Sequence, residues 1–302
     1  MPIKKPIFLF GVPRSGTSVI HEAFSKHEDL GWVSNYQNRL VGLPIVSLAN
    51  RFFDNALVYK MGSRKMSNKM NSLKLTYPKP AEPYILWDKL TGVDFSYEFL
   101  LGDQATDTSK NALQKFHTKI LKLQGKSRLT NKFTGPPRIE YIHSVFPDAY
   151  FIHIVRDPKA VTCSLMHVDF WKQGGGYEKI WWKNGQPSES LLAWKSKLSE
   201  PYINTAYQCR NIIEKASIEG KKVLNPNQFL EIRYEDFLKD PKSTIAKMYD
   251  FVGLAKSERG VQHLELPSKN PNDKYLKFFN KEELNTLNKL FNDVLVQYKY
   301  TT

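Results

Sequence analysis

Cysteine and long hydrophobic runs are both scarce in this sequence. Its 302 residues contain two cysteines, Cys163 and Cys209, which stand far apart and in no metal-ligand spacing. This argues against a disulfide framework and against a structural zinc site. No window approaches the roughly 18 to 20 apolar residues of a membrane-spanning helix, and the apolar stretch near the start is too short for a signal peptide. We expect a soluble, cytoplasmic protein without a transmembrane segment.

Acidic residues are also few. Aspartate and glutamate total 30 against 44 lysines and arginines, which gives a net charge of +14 and a pI near 9.5. The resulting field favours anionic partners, which include nucleic acid, an acidic membrane surface and a small polyanionic cofactor. The lysines are scattered and form no basic arm, so charge alone does not choose among these partners.

The order of predicted elements indicates an α/β fold. Apolar, β-branched segments alternate with helical patterns along the chain, which favours a mostly parallel sheet flanked by helices. We predict strands at residues 7–10, 128–133, 150–155 and 229–233, and helices at residues 17–26, 107–123, 137–146, 158–166, 188–215 and 241–252. The simplest organisation is one P-loop-like domain over residues 1–302, with an acceptor-facing helical insertion at about residues 32–125.

The first strand runs into a glycine-rich turn, GVPRSGTS, before the first helix. Gly11 and Gly16 have the spacing of a phosphate-binding P-loop, but Thr17 stands where such a loop carries its lysine. Arg14, within the turn, supplies the positive charge instead. The turn therefore suits a phosphate held without a metal ion, although a plain strand-to-helix turn would need the same glycines.

A second block, YFIHIVRDPKAVTCS, places Arg156 at the end of a buried strand and Ser164 in the following helix. An arginine at this edge of a parallel sheet, beside a hydroxyl, can bind a second phosphate. Taken singly, Arg156 could instead pair with Asp157 or Glu140. Together with the first turn, the block indicates a nucleotide that carries phosphates at both ends.

These blocks resemble the sulfotransferases that use 3′-phosphoadenosine 5′-phosphosulfate (PAPS). PRSGTS resembles the 5′-phosphosulfate loop and IVRDPKAVTCS the 3′-phosphate site. RLTNKFTGPPRI and FLEIRYEDFLKDP are similar to two further blocks of the family. The chain looks closer to the bacterial and protein-tyrosine branch than to the cytosolic small-molecule branch.

The resemblance implies a function and a set of site residues. It implies transfer of a sulfuryl group from PAPS to a hydroxyl or amine acceptor, a small molecule or a peptide, by in-line displacement and without a metal. Lys132 matches the lysine that faces the leaving oxygen. The implied cofactor-binding residues are Arg14, Ser15, Gly16, Thr17, Ser18, Arg156, Ser164, Tyr234 and Lys277. Arg14 and Lys132 are the candidates for neutralising the charge that develops in transfer.

The general base does not follow from the resemblance. The protein-tyrosine branch has a glutamate after the first helix, but this chain reads SNYQNR at residues 34–39. Glu82, between two prolines and close to Tyr84, is our first candidate, and His167 and Asp169 come next. A surface or hydrogen-bonding role is equally compatible with each.

The aromatic residues Trp171, Tyr177, Trp181 and Trp182 lie beside three consecutive glycines. They fit either a mobile cover over an apolar acceptor or core packing beneath a loop.

Two other functions are compatible with parts of the sequence. A P-loop kinase or nucleotide hydrolase would need a lysine where Thr17 stands. A basic nucleic-acid-binding protein would agree with the net charge of +14, but no nucleic-acid-binding motif is recognisable, so no nucleic-acid partner is expected. The sequence leaves the oligomeric state open.

Overall fold

A computed structural model describes residues 3–55, 77–262, 264, 266 and 272–300. Its centre is one five-stranded parallel sheet with the strand order β2-β3-β1-β4-β5. The strands are β1 (Ile7–Gly11), β2 (Leu30–Gly31), β3 (Arg128–Thr134), β4 (Tyr150–Val155) and β5 (Phe229–Arg233). The α/β fold with a parallel sheet is confirmed.

Helices connect the strands in the described residues. The α-helices, in chain order, are α1 (Thr17–Phe24), α2 (Asn35–Arg39), α3 (Leu48–Phe53), α4 (Tyr84–Thr91), α5 (Asp107–Gln124), α6 (Ile139–Val145), α7 (Pro158–Leu165), α8 (Asp169–Gln173), α9 (Glu189–Leu192), α10 (Pro201–Val223), α11 (Tyr234–Lys239), α12 (Pro241–Val252), α13 (Tyr275–Phe278) and α14 (Lys281–Gln297). Short 3₁₀ segments occupy Pro44–Ser47, Lys195–Lys197 and Pro226–Gln228. No helix in the described ranges is long and apolar enough to cross a bilayer.

Alternation along the strands creates two separate apolar layers on the sheet. Ile7 and Leu9 face one layer, with residues of α1, α11 and α12, whereas Phe8 faces the other, with residues of α4, α5 and α6. A third cluster joins α7, α10 and α14 at the side of the molecule. Because both faces are covered, the carboxyl edge of the strands is the place where the sheet can present polar groups.

The structure divides one predicted helix and describes only part of the predicted helical insertion. The helix predicted over residues 188–215 is wrong as one element, because Pro201 begins a separate helix and only short helical turns precede it. The predicted insertion at about residues 32–125 contains α2 to α5, and its residues 56–76 lie outside the described residues. Its role toward an acceptor and the single-domain assignment stay predictions.

Candidate active site

The turn between β1 and α1 has an unusual backbone. Gly16 has φ of 84° and Arg14 has φ of 75°, a region that residues with a Cβ rarely adopt. A Cβ on Gly16 would also lie 2.2 Å from Cδ2 of Tyr234. Glycine is therefore required at residue 16 both by the conformation and by the close approach of the Tyr234 ring.

This turn leaves backbone donors at the start of α1. Ser15 N donates to Val12 O at 3.1 Å, and the side chain of Ser15 is buried. The N–H groups of Gly16, Thr17 and Ser18 have no acceptor among the described residues. Free N–H groups at the positive end of a helix dipole favour an anion.

Arg14 and Arg156 meet at the carboxyl edge of the sheet. Arg14 Nε donates to Ser164 Oγ at 3.0 Å, and Arg156 Nη1 donates to the Arg14 carbonyl oxygen at 2.9 Å. Arg156 Nε donates to Asn272 Oδ1 at 2.8 Å, and its guanidinium carbon lies 5.1 Å from the centre of the Tyr234 ring. The two sequence blocks, more than a hundred residues apart, thus form one continuous cluster.

Burial changes the electrostatics of this cluster. Arg156 is only 7% exposed. Desolvation lowers the pKa of Arg156, and the nearby Tyr234 and Glu235 oppose that effect. A buried guanidinium with little contact with water interacts strongly with an anion that reaches it.

One cavity of about 710 Å³ opens onto this cluster. Eight of the nine predicted cofactor-binding residues line it, all except Ser15: Arg14, Gly16, Thr17, Ser18, Arg156, Ser164, Tyr234 and Lys277. Sequence reasoning missed other residues of the same wall, which are Val19, Ala160, Cys163, Val168, Lys274 and Phe278. Lys274 could have been found from the sequence, because it is a second lysine only three residues before Lys277.

Lys132 and Glu82 form a polar pair next to the first turn. Lys132 Nζ donates to Ser18 Oγ at 2.7 Å and lies 3.0 Å from Glu82 Oε1. Thr134 Oγ1 donates to Glu82 Oε2 at 3.2 Å. Lys132 is buried, while Glu82 is partly exposed. Neither lines the cavity, but both connect to it through Ser18.

Tyr84 fixes the end of β3 beside this pair. Its hydroxyl donates to the Thr134 carbonyl oxygen and accepts a hydrogen bond from Thr134 N at 2.6 Å. Burial, and secondly the charge of Glu82, raises the pKa of Tyr84. The phenol therefore stays protonated and acts as a donor.

The other two candidates for the base have different surroundings. His167 lines the cavity, where Nδ1 is 2.7 Å from the Cys163 carbonyl oxygen and the ring centre is 4.5 Å from that of Phe278. Asp169 is exposed, starts α8 and is not part of the cavity wall. Of the two, His167 alone is near the cluster.

The interpretation of the aromatic residues as a mobile cover is wrong. Trp171 and Trp182 are buried, with ring centres 5.1 Å apart, and Trp171 Nε1 donates to Thr205 Oγ1 at 3.0 Å. Tyr177 and Trp181 are only partly buried and pack against the same cluster. The neighbouring glycines allow indole rings to approach the backbone closely, so core packing explains this segment.

No cluster of metal-binding side chains is found in the ranges that the structure describes. No group of three or more His, Cys, Asp or Glu side chains there could hold a metal ion. The donors of the site are cations, hydroxyls and backbone N–H groups.

The known proteins to which this chain is similar are sulfotransferases. A model described as "Sulfotransferase family" matches residues 6–258. The chain is 23% identical over 270 residues to the omega-hydroxy-beta-dihydromenaquinone-9 sulfotransferases Stf3 of Mycobacterium bovis and Mycobacterium tuberculosis. The match covers 84% of this chain and 64% of those proteins, so the chain spans somewhat less than two thirds of their length.

Two solved structures have a similar fold. Sulfotransferase STF9 from Mycobacterium avium gives a TM-score of 0.58 at 14% identity, and the match covers 98% of this chain and 77% of that one. The sulfotransferase domain from the curacin biosynthetic pathway gives a TM-score of 0.54 at 13% identity, with 100% and 99% covered. At these identities the likeness concerns the fold.

Proposed function

This chain belongs to the sulfotransferase family, and from that premise we propose that it transfers a sulfuryl group from PAPS to the hydroxyl of an acceptor. The observation that carries the proposal is the single cavity in which the lysine-less glycine turn and the Arg156–Ser164 pair lie together. When bound, PAPS supplies an activated sulfuryl group on a phosphate leaving group.

We propose that the first turn holds the 5′-phosphosulfate. The free N–H groups of Gly16, Thr17 and Ser18 supply donors of fixed direction, and Arg14 supplies a charge within the same turn. These groups neutralise an anion without a metal, which agrees with the absence of a P-loop lysine at Thr17.

The 3′-phosphate would lie at the other end of the cluster, on Arg156 and Ser164. The Arg14 side chain already contacts the hydroxyl of Ser164, so the two anionic ends of one nucleotide would share this arginine. Tyr234 packs against both Gly16 and Arg156, and Lys277 adds a further cation to the cavity wall. Their roles in binding are part of the proposal.

We propose that Lys132 and Glu82 act on the reacting groups. The Lys132 ammonium, held by Ser18 and Glu82, would stabilise the charge that builds on the departing oxygen. Glu82 would accept the proton of the acceptor hydroxyl, because its partly exposed carboxylate lies at the border between this lysine and solvent. The names of the mycobacterial relatives support a hydroxylated small molecule as the acceptor class.

Thermal shift measurements test the proposed donor, with a chelator in the bisphosphate sample and no chelator in the magnesium ATP sample. Adenosine 3′,5′-bisphosphate is expected to raise the melting temperature, whereas magnesium ATP is not. Stabilisation by magnesium ATP alone would support a kinase or hydrolase instead, and tight, salt-sensitive binding of unrelated nucleic acid would support the third function.

A pair of arginine variants sharpens this test. Arg156→Ala is expected to weaken bisphosphate binding by at least about 30-fold, because a buried charge that binds an anion contributes at least about 2 kcal/mol. Arg233→Ala is the matched control, since Arg233 ends the neighbouring strand and lies 4.6 Å from the centre of the Tyr300 ring, outside the cavity. Equal losses in both variants would contradict the proposed 3′-phosphate site.

A further inference from the structure

The surface beside Glu82 carries four large apolar side chains that face solvent. Leu40 is 49% exposed, Leu43 52%, Ile45 56% and Ile85 58%. Single exposed apolar residues are normal on a protein surface, whereas a contiguous group indicates an interaction site. We call these four residues the apolar patch.

Local contacts show that the apolar patch is contiguous. Leu43 N donates to Leu40 O at 3.1 Å, so residues 40–43 form a tight turn. A Cβ on Gly42, in this turn, would lie 3.8 Å from Lys89 Nζ. Lys89 is one helical turn after Ile85 in α4, so it extends over the same face of that helix. The turn and the outer face of α4 are therefore neighbours.

The apolar patch also borders the proposed base. Asn38 Nδ2 donates to the Glu82 carbonyl oxygen at 2.6 Å, immediately before the tight turn. Glu82 itself lies three residues before Ile85. An object that covers the apolar patch would lie next to the exposed edge of Glu82.

The charges around the apolar patch have one sign. Among the described residues between 30 and 92, the exposed charged side chains are Arg39, Arg51, Lys79 and Lys89. None of these four cations forms an ion pair with another described residue. Two of them border the apolar patch, because Arg39 directly precedes Leu40 and Lys89 reaches Gly42. Arg51 and Lys79 instead line a separate cavity together with Asp54.

The carboxylates of the same region are only partly exposed, and each has a partner within the described residues. Asp54 pairs with Lys126, Glu82 pairs with Lys132, and Asp88 accepts hydrogen bonds from Ser96. The sequence shows the same asymmetry over residues 30–81, where eight lysines and arginines face one acidic residue. This stretch contributes half of the chain's net charge of +14.

We propose that the apolar patch, with Arg39 and Lys89 at its border, docks the protein onto an anionic lipid bilayer. Apolar side chains inserted at the level of the headgroups and cations paired with lipid phosphates are the two contributions that hold a protein on a membrane surface. The two cations beside the apolar patch match the negative charge of such a bilayer, and the carboxylates among the described residues between 30 and 92 are at most partly exposed. Docking itself does not depend on the reaction; that it brings a lipid-borne hydroxyl to Glu82 rests on the proposed function.

Sedimentation with vesicles tests the proposal. The protein is expected to bind vesicles of phosphatidylglycerol and phosphatidylcholine mixed one to three, and to bind pure phosphatidylcholine much more weakly. Leu40→Ser with Leu43→Ser is expected to lower binding to the mixed vesicles about tenfold or more. Arg39→Gln and Lys89→Gln should each lower it about fivefold.

Matched controls come from exposed side chains elsewhere. Ile218→Ser with Val296→Ser removes two side chains that are 56% and 69% exposed on other helices, and Lys289→Gln removes an exposed cation of α14. These variants should bind vesicles as the unchanged protein does. Equal losses in the controls, or no binding to anionic vesicles, would overturn the proposal and leave an acidic protein as the partner to seek.

A probe at Leu43 separates insertion from charge attraction. The two native cysteines are buried, so Leu43→Cys can carry an environment-sensitive fluorophore, with Val296→Cys as control and the unsubstituted protein as the blank. Mixed vesicles should shift the emission of the first probe to the blue and leave the second unchanged. If the emission does not shift, and heparin binds the leucine variants as tightly as the unchanged protein, the surface is a general polyanion site and the proposal is wrong.

The two proposals fail separately in this design. Vesicle binding is read without turnover, and bisphosphate binding is measured on the same variants, which should keep it. Loss of the bisphosphate effect alone would refute the proposed function and leave docking standing.

Discussion

Arg14 combines a charge with a backbone conformation that is rare for residues other than glycine. Its carbonyl oxygen accepts from Arg156, and its side chain donates to Ser164. Tertiary contacts of this kind are needed to maintain a conformation that costs of order 1–3 kcal/mol. The strained residue is therefore the point at which both proposed phosphate sites meet.

Glu82 allows the sharpest test of a single proposed role. Glu82→Gln is expected to lower kcat about 100-fold or more, because the loss of a general base typically costs 10²–10⁴-fold, and to leave the bisphosphate affinity within about twofold. Turnover would be measured with an acceptor found by screening hydroxylated compounds.

Asp88→Asn is the control for Glu82→Gln. Asp88 lies on the helix that follows Glu82 and accepts hydrogen bonds from Ser96, away from Lys132. Its kcat should stay unchanged. If Glu82→Gln also retained full turnover while binding the bisphosphate, the base would have to be sought elsewhere, with His167 as the next candidate in the cavity wall.

At the scale of elements, the connection between β1 and α1 depends on Gly16. Gly16→Ala is expected to destabilise the fold by about 2 kcal/mol more than Gly92→Ala, since an added Cβ would meet the Tyr234 ring at 2.2 Å and such overpacking costs about 1–3 kcal/mol. It should also abolish bisphosphate binding. Urea denaturation and ligand titration measure both effects.

Gly92 is a suitable comparison because it isolates the backbone contribution. It follows α4 with φ of 72°, and a Cβ there would meet no atom of the described residues within 4 Å. Gly92→Ala therefore reports only the cost of a left-handed alanine, about 1–2 kcal/mol. Equal destabilisation by the two substitutions would show that the contact with Tyr234 is unimportant.

At the scale of the whole molecule, a buried carboxyl group is expected to contribute to the pH dependence of stability. Burial raises the pKa of Glu219 from 4.5 to about 7, although the backbone N–H groups of Glu140 and Ile139 oppose the shift. Below pH 4.5 the group is protonated in both the folded and the unfolded protein. Between 4.5 and about 7 only the unfolded state ionises, so the contribution of Glu219 to stability falls as the pH rises and then stays reduced.

Glu219→Gln removes this titration and keeps an oxygen for the bonds from α6. Relative to the unchanged protein, the variant is expected to gain stability as the pH rises from 4.5 to about 7, by on the order of 1–3 kcal/mol. Urea denaturation at several pH values measures the difference. A stability difference that does not change with pH would contradict the assignment.

The sequence by itself determined the local elements and the chemistry of the turn. Four strand positions followed from short apolar, β-branched segments, whereas the two-residue strand β2 was not predicted. The bounds of α12 followed from Asp240, Pro241 and Gly253, and the phosphate-binding character from glycine spacing. These features depend on neighbouring residues, so they can be recognised without knowing the fold. The helix break before Pro201 was readable in the same way and was missed.

Tertiary structure alone decided which distant groups meet. Arg156 contacts the Arg14 carbonyl across 142 residues of chain, and Lys132 contacts Ser18 across 114. It also decided that Trp171 is buried in the core and that the apolar patch faces solvent. Such outcomes depend on how helices pack on both faces of the sheet, because apolar side chains of the same type occur in cores and on binding surfaces; their environment is fixed by packing and not by the local sequence.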